Sequence, residues 1–372
     1  MSSWQNPAMK KPKRIKKHKL PKVTKRPFNL LHKKTVEEKV SDAISNVPRI
    51  TNETVSDHRE EVLSSARKFI YPLEQSKHRI VRISISILVV VLILFVSVTL
   101  LALYKFQTTS TFFYDVTQVL PLPVAKVGNP WISYESYLFE LRHDVHYYHN
   151  KQHVDFSTSS GKAQLVHLKQ QALNQVVLDA EVKQLANKYH VNVSNSTVDS
   201  QIALVRAQNR LGNNDEVFKE VLNDVYGWSE DDFKRELKQQ LLQQAVVAKL
   251  DTATAEQAQT ALNQIMKGTS FESVASQYTN DTTTKASGGH YTSPISPTDS
   301  NISPIVTAQL FKLKPGEVSN VINTGYTLEI LKVITATPGS VTAAHIQFNL
   351  QPISTYVTPI STSNPVHKYI SI

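Results

Sequence analysis

Ala255 to Val333 reads AEQAQTALNQIMKGTSFESVASQYTNDTTTKASGGHYTSPISPTDSNISPIVTAQLFKLKPGEVSNVINTGYTLEILKV, and this stretch decides the fold. Ala258, Ala261, Leu262 and Ile265 fall at helical spacing and stop at Gly268, a residue suited to ending a helix. Phe271, Val274, Ala275 and Tyr278 mark a second, short helix. A polar loop with Gly288-Gly289 follows, then a third helix through Val306, Leu310 and Phe311, and a Lys-Pro-Gly-Glu turn. An apolar strand from Leu328 to Ile334 closes the unit. The pattern alone predicts three helices followed by one strand.

The order GTSFESVASQY, SGGHY, LFKLKPGEVS, ILKV resembles the parvulin (PpiC-type) family of peptidyl-prolyl isomerases over about 80 residues. The resemblance implies an α+β domain, a small antiparallel sheet with helices, shaped as a shallow cup that binds a proline ring and favours the twisted X-Pro amide, with no covalent step, cofactor or metal. It also implies site positions. The family's His in the closing strand falls at Glu329, and its position just after an Asp falls at Thr282. The apolar proline pocket falls at Tyr291, Ile302 and Val306. The family's opening strand, which carries another His, is missing before the first helix, where Ala245 to Leu250 runs straight into Asp251.

Val341 to Leu350 (VTAAHIQFNL) alternates Ile346, Phe348 and Leu350 against His345, Gln347 and Asn349, which is strand periodicity. Its AAHIQF words resemble the missing parvulin strand, and Thr337-Pro-Gly-Ser340 is turn chemistry. Two readings stand: a circularly permuted sheet completed from the C-terminal side, with His345 catalytic, or the start of a truncated second repeat. A strict two-residue turn pairs His345 with Lys332, on the face opposite Glu329. A one-residue bulge pairs it with Leu331, and His345 and Glu329 then share a face. A Glu beside a His holds the imidazole charged.

Ile83 to Tyr104 is an uncharged apolar run of 22 residues, long enough for a hydrocarbon core of about 30 Å. Residues 1–82 hold 20 Lys+Arg against 8 Asp+Glu, and the remainder is net −2. The positive-inside rule therefore predicts a single-pass cell-membrane protein, N-terminus cytoplasmic and C-terminal domains extracytoplasmic. The span starts too deep in the chain for a signal peptide. The tail segment Lys10 to Arg26, KKPKRIKKHKLPKVTKR, is too poor in apolar residues to order itself. It reads as a topology signal and as a partner for anionic lipid headgroups. Nucleic acid is not an expected partner, because no aromatic interleaving or reader module accompanies the charge. Glu37 to Ile44 and Asp57 to Ile70 are short helix candidates.

Helical spacing recurs over Ile132–Asn150, Ala163–Tyr189, a segment from Val198 to Val205, Asp215–Val225 and Ser229–Leu250. The words ALNQVVLDAEVKQLANKYHVNVSNSTVDSQI and YGWSEDDFKRELKQQLLQQAVV resemble the N-terminal chaperone region of the SurA and PrsA group of extracytoplasmic foldases. That resemblance implies exposed apolar grooves holding unfolded chains, with Trp131, Tyr134, Tyr137 and Trp228 either in the groove or in the core. His146, His149 and His153 form one stripe with His143 nearby. Zinc sites use such spacing, but no Cys or carboxylate set accompanies it and no metal is assigned.

There are no cysteines, which excludes disulfides, thiol catalysis and Cys-type zinc sites. No Walker loop, G-x-S-x-G or H-E-x-x-H occurs. The expected organisation is a disordered basic cytoplasmic tail over 1–82, a transmembrane helix over 83–105 and a SurA-like region over 107–250. A parvulin-like domain over 252–350 and a flexible Ser/Thr/Pro-rich tail over 351–372 complete it. The expected function is isomerisation and chaperoning of newly exported polypeptides with X-Pro bonds. A non-catalytic binding protein with a degenerate domain, or an envelope scaffold with one partner, are the alternatives.

Overall fold

The computed structural model describes residues 37, 41, 50–70, 73–207 and 214–372, and side chains within that set except at 68–77. The basic stretch Lys10 to Arg26 lies outside the described residues, as does all of the Glu37–Ile44 candidate but two. The chain divides into two units, Met1–Leu88 and Val89–Ile372.

The first unit holds α1 (Asn52–Ile70) and the start of α2 (Leu73–Leu100). α1 begins before the expected Asp57 because Thr51 and Thr54 cap it reciprocally, each backbone N–H donating to the other's hydroxyl at 3.0 and 3.3 Å. α2 continues into a π-helical turn, Leu101–Lys105. His78–Lys105, 28 residues with mean hydropathy 3.1 in its most apolar window, is long and apolar enough to cross a membrane. The hydroxyls of Ser86, Ser97 and Thr99 donate to carbonyls one turn back, so the apolar run leaves them satisfied.

The second unit begins with α3 (Thr111–Val119), β1 (Pro123–Val127), β2 (Trp131–Ser133) and α4 (Tyr134–Asn150). Ser133 caps α4 by accepting from Ser136 N–H, which sets its start. α5 (Ser159–Lys188) is capped by Thr158. A Cβ at Gly161 would lie 1.9 Å from the Asp155 carbonyl, so only glycine fits the entry to α5. Val124, Val127, Tyr134, Leu138, Leu141, Leu168 and Leu173 form the first core. α6 (Asn195–Ala207) and α7 (Asp215–Val221), with the π-turn Leu222–Tyr226, make a second around Val198, Ile202, Phe218 and Leu222. α8 (Glu230–Leu250) starts at a Ser229/Asp232 capping box and packs on α5 and α6.

Only Asp251 separates α8 from α9 (Thr252–Met266). It caps the new helix, accepting from Thr254 N–H at 3.2 Å, and also accepts from Gln351 N–H at 2.8 Å. α10 (Phe271–Tyr278), α11 (Thr282–Lys285) and α12 (Pro304–Leu310) follow, then β3 (Ile322–Asn323), β4 (Thr327–Ala336) and β5 (Val341–Asn349). The sheet order is β3-β4-β5, all antiparallel. Its two faces bury different cores. Leu328, Ile330, Ala344, Ile346 and Phe348 pack on α9 and α10. Leu331, Val333, Val341 and Ala343 pack on α12 and Ile295.

Residues 351–372 are not the flexible tail that their composition predicts. They form α13 (Ser354–Ser363) and β6 (Val366–Lys368). Val357 sits with Val182, Leu185, Ala186 and Val246, and Ile353 and Ile360 flank it, one helical stripe hidden among Ser and Thr. β6 pairs with β1 to complete a β2-β1-β6 sheet, and Ile370 enters the first core. The chain thus leaves the helical region at Asp251, builds the α9–β5 unit, and returns.

Candidate functional site

β4 and β5 adopt the bulged register. His345 pairs with Leu331 and Gln347 with Glu329, with the irregularity between Val333 and Thr335. Alternation then puts Glu329, Leu331 and Val333 on the same face as Val341, Ala343 and His345. His345 Nδ1 lies 3.1 Å from Glu329 Oε2. Its Nε2 lies 3.0 Å from Asp281 Oδ2 and 3.1 Å from Thr284 Oγ1. Two ionised carboxylates can only accept, so the ring satisfies both only when both nitrogens carry protons.

Burial alone would lower the His345 pKa; the hydrogen bond and charge of Glu329, then those of Asp281, overcome it and raise it. Burial also pushes against ionisation of Asp281. The Thr283 and Thr284 hydroxyls, the Thr283 N–H and His345 outweigh that and hold the carboxyl well below the usual carboxylate range. Thr327 Oγ1 donates to Glu329 Oε1 at 3.1 Å. The imidazolium therefore sits in a closed, hydrogen-bonded anionic cradle and is 4% exposed.

The ring of Tyr291 stacks on His345, centroids 4.4 Å apart and 28° between planes, an arrangement in which a cation favours the aromatic face. Burial raises the Tyr291 hydroxyl pKa, with Glu329 and Asp281 adding to it. Tyr291 is backbone-bonded to β5 through its N–H to Ala343 O, at 3.1 Å. The chain reaches it through Gly288 and Gly289, at φ +64° and +87°. A Cβ on Gly289 would stand 2.3 Å from the His345 carbonyl, so the loop passes over His345 only because that residue is glycine.

Of the residues read from sequence, His345 and Glu329 are in direct contact, and Tyr291, Ile302 and Val306 share one apolar cluster with Ile295, Leu310 and Phe311. Val306 is 1% exposed and forms the floor of that cluster, whereas Tyr291 and Ile302 are half-buried at its rim. Thr282 is exposed; Asp281 before it and Thr284 after it are the groups that reach His345. Sequence reading missed both. The signal was the cap itself: Asp281 accepts from Thr283 N–H at 2.9 Å to start α11, which turns its other oxygen toward β5.

A second polar cluster lies between α4, α5 and α8. Glu140, Asp179 and Glu236 line a cleft of about 290 Å³ together with Trp131, Ile132 and Val176. Burial pushes Glu140 up to about 9, helped by the charges of Glu236, Asp179 and Asp144. Burial likewise raises Glu236 and Asp179, and takes Asp144 to about 6. Arg235, on the same cleft, is committed to Glu135 through contacts of 2.6 and 3.1 Å, and the charge of Lys183 offsets the rise at Asp179 and Glu236 without reversing it.

The aromatic candidates separate. Tyr134 and Tyr137 are fully buried, while Trp131 is 63% exposed at the cleft. Trp228 stacks on His143 with centroids 4.2 Å apart. Of the His set, His143 Nδ1 lies 3.1 Å from Tyr226 O and His146 Nε2 lies 3.2 Å from Asp224 O, whereas His149 and His153 are exposed.

Residues 74–247 match the SurA-like N-terminal domain family, and residues 240–335 match the PPIC-type PPIase (rotamase) domain family. The second match ends before β5, so His345 lies outside it. No curated protein matches the chain. Among solved structures, the foldase protein PrsA from Streptococcus pneumoniae str. Canada MDR_19A is 18% identical. That alignment covers 52% of this chain and 76% of PrsA at a TM-score of 0.19, too slight to bear on the fold. The chain thus combines a SurA-like helical region with a PPIC-type rotamase domain.

Proposed function

We propose that this chain is a membrane-anchored extracytoplasmic peptidyl-prolyl cis-trans isomerase and chaperone for exported polypeptides, single-pass with its N-terminus cytoplasmic. The observation that carries the reading is the His345 cradle set against the Tyr291–Ile302 rim on one sheet face. It has support from the two family matches and from the apolar helix His78–Lys105. The reaction needs no nucleophile. Twisting an X-Pro amide meets a barrier of roughly 18–20 kcal/mol, and each ~1.4 kcal/mol of preference for the twisted amide gives about tenfold in rate. In this reading the proline ring rests on Tyr291 and Ile302 above Val306. His345 acts as a positioning residue: its charge fixes the Tyr291 ring, and Asp281 and Glu329 fix His345.

We further read the sheet as circularly rearranged, with β5 in the place of the strand that the parvulin pattern puts before its first helix. Support comes from β5 lying beside β4 and from residues 351–372 returning to the helical region rather than starting a repeat. The cleft at Trp131 is the proposed holding site for unfolded chains.

The test is isomerisation of a proline peptide by the full chain in lipid nanodiscs. Wild type should accelerate it, Tyr291→Ala should lose most of the acceleration, and His345→Gln should lose part. A second reading, holding without catalysis, draws support from both imidazole nitrogens being occupied and the ring being 4% exposed. No acceleration by wild type, with suppression of client aggregation intact, selects that second reading.

A further inference from the structure

We infer that α3 is a membrane-surface helix that lays the helical region against the lipid headgroups beside the span. The inference rests on the membrane reading of His78–Lys105 and goes beyond it. Phe112, Val116 and Val119 follow i, i+4, i+7 and so form one stripe of α3. Phe112 is 59% and Val119 81% exposed. The opposite side is spent on the core: Thr117 is buried, and Phe113 and Tyr114 pack against the first cluster. One carboxylate, Asp115, flanks the stripe. Ahead of the helix, Phe106 is 74% exposed.

The occupant follows from continuity with the apolar span. The π-turn ends at Lys105 and α3 starts at Thr111. An extended linker of that length reaches at most about 20 Å, and this one is folded back, with Thr108 N–H donating to Ala102 O at 3.1 Å. The join is rigid. Leu103 is fully buried in the first core and its carbonyl accepts from the Tyr134 hydroxyl; the Tyr104 hydroxyl donates to Pro123 O. Gln107, at φ +49°, accepts from Lys169 Nζ at 3.0 Å and donates to Ser371 O at 2.6 Å. Arg142 donates to Thr109 O at 2.7 Å. A flexible tether would let the apolar stripe turn away from the bilayer; these contacts fix it beside the span's end. A short amphipathic helix held there has its apolar side matched by the headgroup–acyl boundary.

The chain has no cysteine, so single thiols can be spin-labelled without background. Full-length Phe112→Cys, Val119→Cys, Gln118→Cys and Val91→Cys, each nitroxide-labelled in phosphatidylcholine/phosphatidylglycerol vesicles, are compared for collision with oxygen and with a water-soluble nickel chelate. Labels at 112 and 119 should favour oxygen and report depths of about 5–10 Å below the headgroup boundary, with 118 favouring nickel. Equal nickel access at 112, 119 and 118, with 91 still shielded, overturns this inference and leaves the span standing. Spin–spin broadening at 112 that vanishes on dilution with unlabelled protein assigns the stripe to a second copy and overturns it too. Nickel access at 91 overturns the span reading itself.

Discussion

Two clusters of partly buried carboxyls in this molecule resolve the same electrostatic problem in opposite ways. In the α9–β5 unit, Asp281 and Glu329 flank a cation, His345. In the helical region, Glu140, Glu236 and Asp179 crowd together while the nearby Arg235 turns to Glu135. The first cluster keeps its charges and is raised in His pKa; the second gives up charge and is raised in carboxyl pKa. The difference lies in whether a cation is hydrogen-bonded between the carboxyls: at Asp281 its partners outweigh burial, whereas at Glu140, Glu236 and Asp179 burial outweighs Arg235 and Lys183. A pinned ion triad defines one geometry, as a platform under Tyr291 requires. Carboxyls that share protons leave a cleft whose charge follows pH.

The widest gap between the clusters should open on removing the cation. His345→Leu leaves Asp281 and Glu329 without the cation between them, and a loss of about 3–5 kcal/mol is expected in the α9–β5 unit. Hydrogen exchange at β4 and β5 amides of the full chain would report it, with α4 and α5 amides unchanged. Unaltered protection in β4 and β5 would mean that His345 is not the keystone of its cluster.

The helical cluster should respond with the opposite sign. A carboxyl whose folded pKa is raised gives stability that is complete below its unfolded value of 4.5 and declines as pH climbs toward about 9. Glu140→Gln keeps a hydrogen-bonding side chain and removes the proton. It should leave stability near pH 4.5 unchanged and raise it at pH 8 by about 1–2 kcal/mol, read from exchange in α4, α5 and α8. A variant that is less stable at pH 8 would show that the ionised cluster is well solvated, and the comparison would fail.

Sequence made one cluster partly legible and hid the other, for physical reasons. The alternation of β5 and the Pro338-Gly339 turn located His345, and the alternative registers differed by one bulged residue that alternation cannot reveal, since either keeps an apolar face inward. Thr282 was one position from Asp281 because a cap's backbone role is visible in sequence while the direction of its second oxygen is not. Glu140, Asp179 and Glu236 stand on three helices; each occupies an inward turn of its own helix, but nothing local states that the inward turns meet. The return of residues 351–372 was masked by composition: Ile353, Val357 and Ile360 set a helical stripe, and Val366 and Ile370 the continuation, inside a run of Ser, Thr and Pro. Apolar residues this sparse show their spacing only once a partner surface is known.

The smallest and most diagnostic effect concerns protons on His345 itself. Its folded pKa lies above the ordinary 6.5, so the stability it brings is complete below 6.5 and fades as pH rises through the folded value. Asp281 works in the other direction: its carboxyl is held below the ordinary 3.8, so its contribution is complete above that value and is lost on acidification. The α9–β5 unit should therefore hold a plateau between those limits, over a range where the helical region is already losing stability with rising pH. Nitrogen chemical shifts of the His345 ring should give a doubly protonated imidazole at pH 7, and Glu329→Gln should restore a neutral ring there while leaving Asp281 in place. A neutral wild-type ring at pH 7 would remove the cation from the cradle, and with it the contrast between a cluster that keeps its charges and one that surrenders them.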